Sequence, residues 1–364
     1  MSFFNKLISK EHWTYKGRAM PALDGIRGLA FLLVLFAHIS NRNDLLFIGA
    51  GKIGVWLFFV LSAFLLTNYF ITKPSRVLSG FEWANYILRR SMRILPIYFF
   101  VLTLYFIAGY VIQDFQSLTK HFILLEGQGH FWTIAVEFKY YLILPLIIFF
   151  IIYILRLNPV LSILFTLVFV IFHQYLNPAS STVTSSISLL DYLPVFIFGS
   201  LAAVIHSKFK DINFSNKTRV TFDVMALTIL IGILLSFPKV WSILISPVGR
   251  DVFYNHFVFY GLGFGALILF VIHGKGYIRR IFESKILCFC GTLSFSGYLI
   301  HPIIIAIYYR LFSENMTIFG TVFIIFFTFI IANILYRMIE VPTIKIKLTP
   351  KHKTSNLNPS AQKN

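Results

Sequence analysis

Apolar residues run along this chain in long unbroken stretches, and polar residues are confined mostly to the gaps between them. Stretches of about 20 residues, bounded by charge or turn signals, fall at 22–40, 53–72, 94–112, 135–155, 160–176, 187–206, 220–237, 252–272, 287–310 and 317–338. A bilayer core offers the backbone no hydrogen-bond partner, so each stretch is predicted to be a helix. The expected fold is all-α: a polytopic integral membrane protein of about ten transmembrane helices. Its parts are an N-terminal segment (1–20), a membrane-embedded domain (21–346) and a flexible polar tail (347–364).

Composition agrees with the pattern, since 57% of residues are hydrophobic and only 13% charged. The net charge of +18 could signal nucleic-acid binding, so the placement of the cations decides. When alternate loops are assigned to two sides, one side carries about 24 of the 32 Lys and Arg residues and the other about seven. That asymmetry places both termini in the cytoplasm, favours an even number of spans and turns the charge into topology, with no nucleic-acid partner. Lys6, Lys10, Lys16 and Arg18 precede the first apolar run as in a secretory signal, but no small-x-small cleavage site follows, so the first helix is expected to be retained. Cys288 and Cys290 are too few and too close for a disulfide framework, lack zinc-ligand spacing and read as packing residues, with no metal expected.

Chemistry can reside only in the polar residues inside or at the ends of these spans. Arg27 and His38 are eleven residues apart, about three helical turns, so they share one face about 16 Å apart along the axis. A charge within a span costs about 2–3 kcal/mol even on the lenient insertion scale, which favours a protein interior or cavity; the alternative is a snorkelling Arg27 and a His38 with one interhelical hydrogen bond. In the loop before span three, Arg90 and Arg93 stand one turn apart and can form a two-pronged phosphate grip, or serve as ordinary positive-inside anchors. Glu137, at the start of span four, could orient an imidazole base or pair with Lys139. His301 precedes Pro302, which frees a backbone carbonyl, and a structural role for it is as good a reading as a catalytic one. Glu340 closes the last span and is expected to pair with Arg27, Arg337 or the arginine loop.

These residues lie in segments that together resemble the acyltransferase-3 family of integral membrane acyltransferases. The segments are LDGIRGLA with His38 at 23–38, GVWLFFVLSAFLLT at 54–67, RRSMRILPIY at 89–98, HFWTIAVEFKYYLILP at 130–145, GTLSFSGYLIHP at 291–302 and YRMIEVP at 336–342. The likeness runs from Arg18 to about Lys345, and it departs from the family at Ala63, often glycine there, and at Phe138-Lys139, usually Glu-Gln. The resemblance implies that an acyl-CoA, usually acetyl-CoA, is the co-substrate and that the acyl group passes to a hydroxyl of an extracytoplasmic glycan. By the same resemblance Arg27 and His38 match the essential first-helix pair, Arg90 and Arg93 the Arg-x-x-Arg motif, and Glu340 the acidic position of the closing motif. Family likeness further implies a multi-pass protein of the bacterial inner membrane acting on lipopolysaccharide O-antigen or a related lipid-linked glycan. About twenty residues follow the last motif, so the membrane domain is expected to complete transfer alone or with a separate partner.

On this reading His38 is the general base, tuned by Glu137 or Glu340, the arginines hold the phosphates of the donor, and a continuous polar passage through the interior is expected to link the two. Direct transfer and a covalent acyl-enzyme are both compatible with the sequence. Two other classes are open at this stage: a transporter or flippase of a lipid-linked glycan or anionic substrate, and a structural partner in a polysaccharide-assembly complex.

Overall fold

The computed structural model describes residues 20–348 apart from 41–46, 48, 184, 248–252 and 313–315. Lys6, Lys10, Lys16, Arg18 and most of the predicted tail lie outside the described residues. Every regular element among them is helical. In chain order these are α1 (Pro21–Ser40), α2 (Gly51–Ile71), α3 (Gly80–Ile107), the short α4 (Phe115–Phe122) and α5 (Trp132–Phe149), which runs on through a π-helical turn at Phe150–Ile154. There follow α6 (Pro159–Leu176), α7 (Leu189–Phe209), α8 (Asn216–Leu235), the short α9 (Pro238–Leu244), α10 (Phe257–His273), the short α11 (Tyr277–Phe282) and α12 (Lys285–Phe312). Last comes α13 (Ile318–Leu335), which continues through Tyr336–Glu340 to Ile344.

Among the described residues nine helices are long and apolar enough to cross a membrane. The remaining predicted stretch, 252–272, eighth in chain order, forms the 17-residue α10 after a single 3-10 turn at Tyr254–His256. At 1.5 Å per residue, α10 extends about 25 Å, a few ångströms short of a hydrocarbon core of about 30 Å.

The larger departure concerns the arginine segment, expected in a loop and found inside α3. Ser79 caps that helix by accepting a hydrogen bond from the Glu82 amide at 3.3 Å, a Ser-x-x-Glu start. No breaker lies between Glu82 and Arg93, so the helix begins about four turns before the apolar run and carries Arg89, Arg90 and Arg93 on a regular repeat.

Helices α1, α2, α7 and α12 form the interior of the bundle, whereas α6 and α8 lie at its margin, with most of their apolar side chains exposed. Glycine permits the tightest contact: a Cβ added to Gly291 of α12 would lie 1.8 Å from the Asp24 carbonyl oxygen of α1, and one on Gly28 2.1 Å from that of Leu287. Ala63 keeps α2 close to α7 because the glycine stands opposite, at Gly199, where a Cβ would meet the Ala63 methyl at 2.8 Å.

Prolines inside the helices free the carbonyl four residues back, and at two of them a side chain from another helix takes it up. Pro145 frees the Tyr141 carbonyl, which accepts from the Tyr86 hydroxyl at 3.3 Å. Pro194 frees that of Leu190, which accepts from His173 Nε2 at 2.8 Å.

Candidate functional site

Close packing of α1 on α12 sets Arg27 and His38 beside the motif that contains Ser294, Tyr298 and His301. Between these two helices and α2, α3 and α5 lies a cavity of about 300 Å³. Arg27, Arg90, Arg93 and Glu137 all line it, together with Ser62, Tyr69, Thr133, Tyr141, Ser294 and Tyr298. Along α2 it extends from Tyr69 to Val55, about 21 Å at the helical rise.

The polar groups in it are arranged by charge. Arg90 and Arg93 face the cavity from adjacent turns of α3, and the Arg90 guanidinium carbon lies 5.9 Å from the centroid of the Tyr141 ring. Arg27 Nη1 meets Asp24 Oδ1 at 3.2 Å. The Glu137 carboxylate accepts hydrogen bonds from the Ser62 hydroxyl and, at 2.5 Å, from the Tyr141 hydroxyl. Lys139 does not pair with it; the ammonium donates to the Ile187 carbonyl at 2.8 Å. Glu340 is fully buried behind the cavity wall, where it accepts from the Ser296 hydroxyl. The expected ion pair is absent among the described residues: Arg337 turns to Asn333 at 3.2 Å, while Arg27 and Arg93 act on Glu340 only through their field.

His38 lies in a separate cluster at the Ser40 end of α1. Its ring contacts that of His301, with centroids 4.9 Å apart, and His301 in turn lies 5.8 Å from His130. The backbone fixes the tautomers here. His301 Nδ1 stands 2.8 Å from the Tyr298 carbonyl, the one Pro302 leaves without an amide partner, so this nitrogen carries a proton and Nε2 is bare. His38 Nδ1 donates to the Val34 carbonyl at 2.8 Å and faces that bare Nε2 at 3.3 Å. His38 Nε2 is therefore left with its lone pair available. His130 donates from Nε2 to the Leu299 carbonyl at 3.2 Å; burial, with a smaller contribution from His38, pushes its pKa down to about 3.

A tyrosine stands between cavity and cluster. Tyr298 lines the cavity while its ring lies 5.4 Å from His130 and 5.9 Å from His301; its hydroxyl donates to the His130 carbonyl at 2.8 Å and accepts from Thr133 at 3.0 Å. None of the three histidines is among the described lining residues, so the passage expected to run on to His38 stops at Tyr298, Phe58 and Val55, about one helical turn short. The structure thus brings Arg27, Arg90, Arg93 and Glu137 together around one space, sets Glu340 behind it and leaves His38 beyond a partition. The sequence alone points to no role for Ser62, Tyr141, Tyr298 or His130, although the first three are polar residues in apolar segments and His130 adjoins one.

A polytopic helical bundle with a deep, arginine-lined cavity is the architecture of a multi-pass membrane protein. The profile described as Acyltransferase domain matches residues 20–337, and the chain belongs to this family, acyltransferase-3. It is similar to the O-acetyltransferase OatA of Staphylococcus aureus strain NCTC 8325, with 24% identity over 369 residues, 91% of this chain and 58% of the relative. OatA of strain MRSA252 matches with the same identity and coverage. The chain therefore spans 58% of the length of these relatives. No solved structure matches it.

Proposed function

We propose that this protein transfers an acetyl group from a cytoplasmic acyl-CoA to a hydroxyl of an extracytoplasmic glycan, of the O-antigen or lipid-linked polysaccharide type. The observation that carries the reading is the single cavity into which Arg27, Arg90 and Arg93 converge from two helices. Three guanidiniums lining a space of this depth suit a ligand with several phosphates at one end and a long thin arm. Family membership and the acetyl-transfer activity named for the relatives support the reaction class.

In the proposed cycle the phosphates stay at the arginine end, which faces the cytoplasm, and the thioester is carried along α2 toward Tyr298. The acceptor hydroxyl enters from the other end, where His38 is half-buried. His38 Nε2 takes the hydroxyl proton as the oxygen attacks the thioester carbonyl. The new C–O bond forms, the C–S bond breaks, and the departing thiolate receives the proton from the imidazolium. His301 holds His38 in the tautomer that can do this. Glu137, Ser62 and Tyr141 form one wall of the arm's route, and the thioester meets the acceptor at His38 once the Tyr298 side chain swings out of the partition.

Purified protein in lipid nanodiscs, given [14C]acetyl-CoA and glycan fractions, is expected to consume thioester only when acceptor is present. Labelled glycan is the expected product. No consumption with any acceptor, alongside transport of a lipid-linked glycan, would overturn the enzymatic reading. Mass spectrometry of surface glycans from cells with and without the gene identifies the acceptor.

A further inference from the structure

A second, smaller space of about 140 Å³ opens beside the cavity and shares Leu66, Tyr69, Arg90 and Arg93 with it. Its other walls are Tyr86, Ile344 and Arg89, a cation that does not line the main cavity. Three guanidiniums therefore border a volume that could hold little more than one tetrahedral anion and its neighbours. Arg90 and Arg93 are common to both spaces, so a ligand gripped by them can extend one branch into each.

The side chains around Arg89 hold it in place. Arg89 Nη2 donates to the Tyr69 hydroxyl at 2.8 Å, which donates to Glu82 at 3.2 Å, and the guanidinium lies 5.3 Å from the Tyr69 ring centroid. Arg76 packs 4.1 Å from the same centroid and donates to the Tyr69 carbonyl at 2.7 Å. Tyr69 is thus fixed by two arginines, and Arg89 keeps most of its five donors for another partner.

We infer that this side space is a subsite for a phosphomonoester branch of the donor, the 3′-phosphate of coenzyme A, with Arg89 as its specific ligand. The inference rests on the acyl-CoA reading above and deepens it. Coenzyme A carries two separate phosphate groups on its nucleotide end, a diphosphate in line with the pantetheine arm and a monoester branching from the ribose. The geometry matches that division: the main cavity continues from Arg90 and Arg93 toward Tyr298, while the side space ends after a short distance at Arg89. Arg76 and Tyr69 are positioning residues that hold the Arg89 guanidinium toward it.

The test compares acetyl-CoA with acetyl-3′-dephospho-CoA as donors for wild type and Arg89→Gln. Wild type is expected to show a KM at least about tenfold lower for acetyl-CoA, the scale of one charge-assisted phosphate contact. Arg89→Gln is expected to raise the acetyl-CoA KM to the dephospho level with kcat unchanged, while its kinetics with the dephospho donor match wild type, which also reports correct folding. Equal KM values for the two donors in wild type would overturn the subsite and leave the acyl-CoA reading standing. So would an Arg89→Gln variant that weakens both donors alike. Consumption of neither thioester would overturn the donor reading, and the subsite with it.

Discussion

The arginine-lined cavity and the histidine cluster are both built from polar residues inside membrane spans or at their ends, yet they solve the cost of burial in opposite ways. In the cavity the charges keep open space around them and few partners: Arg90 and Arg93 border a volume of about 300 Å³. In the cluster the groups are packed ring to ring, with one nitrogen each of His130 and His301 held by a backbone carbonyl. Unspent donors beside free volume are what a binding site needs. Fixed tautomers in a dry cluster are what proton transfer needs, because the position of each proton is decided before the substrate arrives.

Four experiments can break or sharpen this division. The largest effect is expected from His38→Ala, which should lower kcat by about 10²–10⁴, the range of general-base catalysis, and leave donor affinity intact. The double substitution Arg90→Ala with Arg93→Ala should do the reverse, raising the acyl-CoA KM about a hundredfold while saturating donor restores much of kcat. His301→Gln should lower kcat about tenfold and alter the pH profile at constant donor KM; an unchanged profile would give His301 a purely structural role. The smallest effect concerns stability. Because His130 has a folded pKa of about 3 against 6.5 unfolded, the unfolded chain binds the extra proton between those values. Its contribution is complete above pH 6.5 and is lost as pH falls toward 3. Thermal unfolding in detergent should therefore show a smaller drop from pH 7 to 5 for His130→Phe than for wild type.

Much of the bundle could be read from the chain because a bilayer leaves so few options: long apolar runs must be helices. The reading was less secure wherever a helix continues past its apolar run. The start of α3 was legible in Ser79 and Glu82 but was overshadowed by the cationic stretch that follows, and α10 reads as a full span until its first turn proves to be 3-10. Arg27, Arg90, Arg93 and Glu137 could be singled out as charges in costly places, and they share one cavity. Of their partners, Tyr141 stands one turn from Glu137 on the same helix, whereas Ser62 meets it through the packing of α2 on α5, which no spacing encodes. Pro302 announced a freed carbonyl, but that the Tyr298 oxygen would capture His301, and so set the tautomer facing His38, depends on the rotation of α12 against α1. The same rotation closes the passage with the Tyr298 ring, which the sequence could not reveal.

The central claim is that donor binding belongs to the cavity and proton transfer to His38. Equilibrium binding of coenzyme A to purified His38→Ala in nanodiscs, measured beside acetyl transfer by the same preparation, tests it most directly. The account predicts wild-type affinity with transfer slowed about 10²–10⁴-fold; a variant that transfers acetyl groups at the wild-type rate, or one that no longer binds coenzyme A, would contradict it.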